Sequence, residues 1–163
     1  MSAPATKYRV LFVCTGNTCR SPLAVAAMKD ELGEDEPFVE VSSAGTAAAE
    51  GAGASPESIE IAARDGLDLA SHRARRLTPE IANRADLVIV MERLHAAAAE
   101  RLGVLRDRVR VLSEWPEPGE GELPVSDPFG GSMEAYEECW RRIRRHVKRV
   151  VPQVREALRE RSA

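Results

Sequence analysis

Residues 8–13, YRVLFV, form a nearly continuous apolar run that stops at Cys14 and gives way to small polar residues, TGNTCRS, before Pro22. An apolar run without alternation is the pattern of a strand covered on both faces, as in parallel sheets. The residues that follow, 18–32, place Leu23, Ala24, Ala27, Met28 and Leu32 at helical spacing. The same alternation continues along the chain. FVEVSS (38–43), ADLVIVM (85–91) and RVRVL (108–112) read as three more strands. Helices are expected over 55–63, opened by Ser55, Pro56 and Glu57, and over 78–83, 92–102 and 133–161, the last with Pro152 as a kink. The stretch EWPEPGEGELPVSDPFGGS (114–132) is too rich in proline and glycine for a regular element. Strands alternating with helices predict an α/β fold, a three-layer sandwich with a central four-stranded parallel sheet and helices on both faces. Ligands of such folds bind at the carboxyl ends of the strands.

A chain of 163 residues with 44% hydrophobic content suffices for one domain, expected over 1–163 with residues 1–7 as a flexible N-terminus. The net charge of −3 comes from interspersed acids and bases, which argues against nucleic acid as a partner. No apolar run approaches a membrane span, and the first ten residues lack a signal-peptide core, so a cytoplasmic protein off the membrane is expected. Three cysteines do not make a secreted disulfide framework, and reduced thiols are the starting assumption.

The loop after the first strand is a candidate anion cradle. It leaves a strand end and enters a helix, so the backbone N–H groups of Thr15, Gly16, Asn17, Thr18, Cys19, Arg20 and Ser21 and the helix dipole can converge on a phosphate. Gly16 takes positive φ without cost and Asn17 tolerates it. The planar fork of Arg20 can grip two phosphate oxygens with the Cys14 sulfur beneath the phosphorus. In such a field a cysteine falls to a pKa of about 3.5 to 7.5, and Ser21 can donate to the sulfur. There is no Walker lysine, and the spacing of Cys14 and Cys19 is too wide for a metal knuckle, so neither metal nor cofactor is expected. The bland alternative is two packed thiols at a turn. Asp127 precedes a proline in an irregular loop, a place for a proton donor and equally for an ordinary turn aspartate.

Taken together, VCTGNTCRSPLA and DPFGGS resemble the signature loop and the acid loop of the low-molecular-weight protein tyrosine phosphatase family. SSAG (42–45), the Ser-Pro helix start at 55, His72, ADLVIVM and the closing helix also fall where that family has comparable segments, so the resemblance spans nearly the whole chain. It implies a two-step hydrolysis of phosphorylated proteins. Cys14 attacks phosphorus, Arg20 and the loop amides hold the equatorial oxygens, Asp127 protonates the leaving group, and water cleaves the phosphocysteine. It also implies that Asn17, Ser21, Ser43 and His72 brace the loop, and that Cys19 can form a protective disulfide with Cys14.

Within the family, T-G-N-T-C with Thr18, and DPFGGS with the single aromatic Phe129, resemble the bacterial protein arginine phosphatases. Members acting on tyrosine commonly carry an apolar β-branched residue at the position of Thr18 and more aromatics after Asp-Pro. The alternatives are a tyrosine phosphatase and, with fewer thiols than its relay needs, an arsenate reductase. A non-catalytic phosphoprotein-binding module would need no Cys14. Read alone, Thr18 is a helix cap, His72 a surface or capping histidine and Cys19 a packed thiol. His95 and His146 are expected in solvent, Cys139 and Trp140 in the core, and RRIRRHVKR on a solvated helix face. The chain is expected to act as a monomer.

Overall fold

In the computed structural model, which describes residues 6–118 and 124–162, four strands form one parallel sheet. They are β1 (Tyr8–Cys14), β2 (Val39–Gly45), β3 (Leu87–Val90) and β4 (Val109–Val111). The order across the sheet is β2-β1-β3-β4. The helices are α1 (Arg20–Leu32), α2 (Pro56–Arg64), α3 (Pro79–Arg84), α4 (Arg93–Arg101) and α5 (Met133–Ser162). The expected flexible terminus at 1–7 falls mostly outside the described residues.

The pleat of β1 divides the core. Val10, Phe12 and Cys14 pack with Leu23, Ala27 and Met28 of α1 and with Ile143, Val147 and Val150 of α5. Leu11 and Val13 point the other way, toward Leu77, Ala82 of α3 and Ala99 of α4. Successive side chains of a strand face opposite sides, so one unbroken apolar run serves two cores at once. Each such fully buried side chain contributes about 1.5–3 kcal/mol. The three-layer sandwich expected from the sequence is therefore the one observed.

Boundaries differ locally. The first helix starts at Arg20 rather than at Thr18, because the intervening residues are spent on the loop. Helix α2 begins as its residues require: the Ser55 hydroxyl accepts the Ser58 N–H at 3.3 Å, with Pro56 in the first turn. Helix α5 runs through Pro152 as a single element of 30 residues. Its basic run is not one solvated face, since Ile143, His146 and Val147 within it are buried.

The chain passes from β1 to β2 on one side and returns to pair β3 on the other, so order reverses at the carboxyl end of β1. That crevice is where open α/β sheets bind ligands. The loop carrying Cys14 occupies it.

Candidate active site

The loop between β1 and α1 is held by Asn17. Its φ of +57° lies in the left-handed region, which few residues other than glycine enter. Four hydrogen bonds fix it there. Its amide donates to Ser21 Oγ at 2.8 Å and to Ser43 Oγ at 2.9 Å. Its side-chain oxygen accepts the Arg75 N–H at 2.9 Å, and its carbonyl accepts from His72 Nε2 at 2.7 Å. Burial lowers the pKa of His72, consistent with a neutral ring donating through Nε2. The bracing set of Asn17, Ser21, Ser43 and His72 is thus brought together, with Arg75 added. Gly16, expected at positive φ, is not there; the left-handed residue of this loop is Asn17.

This arrangement aims two donors at the Cys14 sulfur. The Asn17 N–H is 3.2 Å from Sγ and Ser21 Oγ is 2.9 Å away. Because Ser21 Oγ already accepts from Asn17, its hydrogen is free for the sulfur. Burial nevertheless pushes the Cys14 thiol up, and it outweighs the lowering effects of Ser21, Arg20 and the Asn17 N–H. The sequence-based expectation of a strongly lowered thiol counted those groups and left out the depth, for Cys14 is 2% exposed.

Arg20 is equally deep, at 2% exposure. Its Nη1 donates to the Val125 carbonyl at 3.0 Å and pairs with Glu92 Oε2 at 3.2 Å. Its Nη2 lies 3.5 Å from Thr15 Oγ1 and 3.8 Å from Asp127 Oδ2. Asp127, more than a hundred residues on in the sequence, is thus brought to the loop of Cys14 and Arg20. Asp127 heads a tight turn in which Oδ1 accepts the Phe129 N–H at 3.0 Å, and Gly131 N–H reaches the Pro128 carbonyl at 2.8 Å. A Cβ at Gly131 would stand 2.9 Å from that carbonyl oxygen, so the turn admits no side chain there. Phe129 is 71% exposed and packs on no core.

Thr18 caps nothing: the residue before α1 is Cys19, and no side chain caps that helix. The Thr18 hydroxyl sits half-buried, 3.6 Å from Cys19 Sγ. Cys19 itself is buried against Ser55 Oγ at 3.5 Å and Tyr136 Oη at 3.4 Å. Cys139 and Trp140 are in the core as expected, and burial pushes the Cys139 thiol up to about 12.

Two histidines correct the sequence reading. His146 is fully buried, with Nδ1 3.1 Å from Arg149 Nη1. His95 is fully buried as well and contacts Thr15 of the loop. The expectation of a solvated His95 rests on its lack of a motif, yet its neighbours at helical spacing, Met91, Ala98, Ala99 and Leu102, are apolar, and the helix turns that face inward. Glu92 is the other residue missed. A Glu-x-x-His at a helix start is a capping pattern, and it was the available signal. In the sequence Gly45 stands out only as part of SSAG. Its reason is steric: a Cβ there would come within 2.5 Å of the Thr15 carbonyl. Among the described residues no group of three His, Cys, Asp or Glu side chains is placed to hold a metal ion, and no helix is long and apolar enough to cross a membrane.

A sequence-family model described as low molecular weight phosphotyrosine protein phosphatase matches residues 9–161. The chain belongs to that family. As a member of the low molecular weight phosphatase family it is 38% identical over 164 residues to a Streptomyces coelicolor low molecular weight protein-tyrosine-phosphatase, covering 96% of this chain and 99% of the relative. It is 35% identical over 147 residues to a Bacillus subtilis protein-arginine-phosphatase, covering 90% and 96%. Among solved structures, the YwlE arginine phosphatase from Geobacillus stearothermophilus superposes with a TM-score of 0.81 at 34% identity, over 94% of this chain and 96% of that one. The phosphatase fold and the family-level chemistry, hydrolysis of phosphorylated proteins, follow from these likenesses. The relatives divide between two substrates.

Proposed function

We propose that this phosphatase hydrolyses phosphoarginine in proteins through a phosphocysteine intermediate. One observation carries the mechanism: the Cys14 sulfur receives the Asn17 N–H and faces Ser21, while Arg20 and Asp127 stand side by side at 3.8 Å. The Cys14 thiol first gives its proton to solvent, and the Ser21 hydroxyl and Asn17 amide stabilise the resulting thiolate. Sulfur then attacks phosphorus and an S–P bond forms. The bond to the leaving nitrogen breaks, its electron pair staying with nitrogen, and the Asp127 carboxyl supplies the proton. In the second step water attacks phosphorus and gives its proton to Asp127, and the S–P bond breaks to restore the thiolate. The backbone N–H groups of Thr15, Gly16, Thr18 and Cys19, with Arg20, hold the phosphoryl oxygens throughout, while those of Asn17 and Ser21 serve the sulfur.

Thr18 and Phe129 are the selectivity residues in this reading. A threonine hydroxyl at the loop rim suits a polar guanidinium. Exposed Phe129 offers one flat face, where the Ala- and Gly-rich segment after Gly45 offers none. The arginine-phosphatase relatives support this choice; the Streptomyces coelicolor relative, at 38% identity, favours phosphotyrosine as the second reading. Three free, buried cysteines suit a reducing cytoplasmic setting, with Cys19 the partner for Cys14 in a protective disulfide under peroxide. We place it there as a monomer.

The test compares kcat/KM for a phosphoarginine and a phosphotyrosine peptide in wild type and Thr18→Ile, scaled to para-nitrophenyl phosphate, with Cys14→Ser as the inactive control. Wild type should prefer phosphoarginine. Thr18→Ile should move the ratio toward phosphotyrosine by roughly 10 to 200-fold, the range that one or two methylene equivalents provide. A wild-type preference for phosphotyrosine overturns the arginine assignment. Turnover by Cys14→Ser overturns the covalent route.

A further inference from the structure

His95 lies fully buried beside the phosphate loop, where the mechanism above assigns it no task. Its Nδ1 accepts the Glu92 backbone N–H at 3.1 Å, and a ring nitrogen that accepts carries no hydrogen. The ring is therefore the Nε2–H tautomer. Nε2 stands 2.9 Å from Thr15 Oγ1, so His95 donates and the hydroxyl oxygen accepts. Arg20 Nη2 approaches the same oxygen at 3.5 Å as a second donor. A hydroxyl has two lone pairs and one hydrogen. With both lone pairs facing donors, the hydrogen is left for a third partner.

That third direction matters because of what surrounds it. Arg20 Nη1 is held by the Val125 carbonyl and Glu92, while Nη2 lies between Thr15 and Asp127, 3.8 Å from its carboxylate. Thr15 thus marks the edge of the guanidinium that faces the acid and the incoming phosphoryl group. With the other tautomer, the Thr15 hydrogen would point back at an acceptor Nε2 and a lone pair would face the phosphoryl anion. The sign of that contact is decided by the histidine.

We propose that His95 is a positioning residue: by donating Nε2–H to Thr15 it holds the hydroxyl as an acceptor for Arg20 and turns its hydrogen toward a phosphoryl oxygen of the bound substrate. This rests on the phosphatase reading above. The ring also stays neutral. Burial first and the Arg20 charge second bring its pKa down to about 4, against the opposing pull of Glu92 and Asp127.

Two substitutions separate the cap from the donor. His95→Asn carries a side-chain oxygen near the place of Nδ1, so it keeps an acceptor for the Glu92 N–H and has nothing at Nε2. His95→Gln extends an amide N–H to Thr15. With para-nitrophenyl phosphate, His95→Asn should lower kcat about tenfold, the weight of one well-placed hydrogen bond, with KM within about twofold. His95→Gln should recover to within about threefold of wild type, and Thr15→Ser should stay closer to wild type than Thr15→Val. Thr15→Val should match His95→Asn, and the double variant should be no worse than either single one, because both remove the same contact. Wild-type kcat in His95→Asn, or losses that multiply in the double variant, overturns the proposal. If His95→Asn does not fold, Thr15→Val decides alone: unchanged kcat sinks the idea. Absence of turnover by wild type would instead sink the phosphatase reading.

Discussion

The phosphate loop and the acid loop meet at Arg20, and they are held in different ways. The loop of Cys14 is buried, with one asparagine tied to β2, to the start of α1 and to residues 72 and 75. The loop of Asp127 holds itself. Its turn closes on its own backbone, its carboxylate side chain is 48% exposed, and it meets the other loop at Arg20, through a 3.0 Å hydrogen bond to the Val125 carbonyl and a 3.8 Å approach of the carboxylate. The difference teaches how the work divides. A phosphoryl group is the same on every substrate and is met by a fixed cradle, whereas leaving groups differ and are met by a residue on the surface.

The comparison can be broken from either side. Asp127→Asn keeps the turn's acceptor and removes the proton, so kcat on a peptide substrate should fall by about 10²–10⁴-fold with the fold intact. Near-wild-type kcat would remove Asp127 from the chemistry. A disturbed thermal unfolding transition would show that the acid loop is more deeply integrated than its exposure implies.

On the other side, Asn17→Ala should cost stability as well as activity. It puts an alanine at positive φ and strands the Ser21, Ser43 and Arg75 groups that the side chain serves, for a combined loss of about 3 kcal/mol in urea unfolding. A variant as stable as wild type would mean that the loop is held by its neighbours without Asn17.

The smallest effect is the pH dependence of the same buried region. His95 falls to about 4 in the folded chain from an ordinary 6.5, through burial and Arg20. Between those values the unfolded chain binds the extra proton, so stability declines as pH drops from 6.5 toward 4. From pH 7 to pH 5 wild type should lose about 2 kcal/mol more than His95→Gln, which cannot titrate there. Equal losses would show that His95 is not held neutral.

These contrasts also explain what is legible in the sequence. Cys14, Arg20 and Ser21 can be read off because they are neighbours in one loop whose place is announced by the apolar run before it. Asp127 is legible by its proline and glycines once Cys14 is known. Glu92, Val125 and His95 are not, since nothing local says that the start of α4 and the segment before Asp127 converge on Arg20. Exposure is a property of the assembled layers, and for the same reason the thiol of Cys14 is held higher than its neighbours alone would dictate. The sheet itself is plain in the sequence because burial on both faces leaves a run of apolar letters, whereas the exact start of α1 depends on how many residues the loop consumes.

The segment after Gly45 is suspended from the rest of the chain largely by its main chain, with a side-chain tie where Glu50 Oε1 accepts the Arg76 N–H at 2.6 Å. Thr46 and Ala47 N–H reach the Cys14 and Thr15 carbonyls, Gly51 N–H reaches Ala74, Ala52 receives the Ala74 N–H, and Ser55 N–H reaches Thr18. Main-chain attachment is indifferent to the side chains carried at the exposed positions Ala47 and Ala49, whereas Ala48 between them is buried. The rim beside the cradle is therefore a blank page. Evolution or an engineer can write new substrate preferences at those positions while the grammar of the loop, spelled in amides and carbonyls, stays the same.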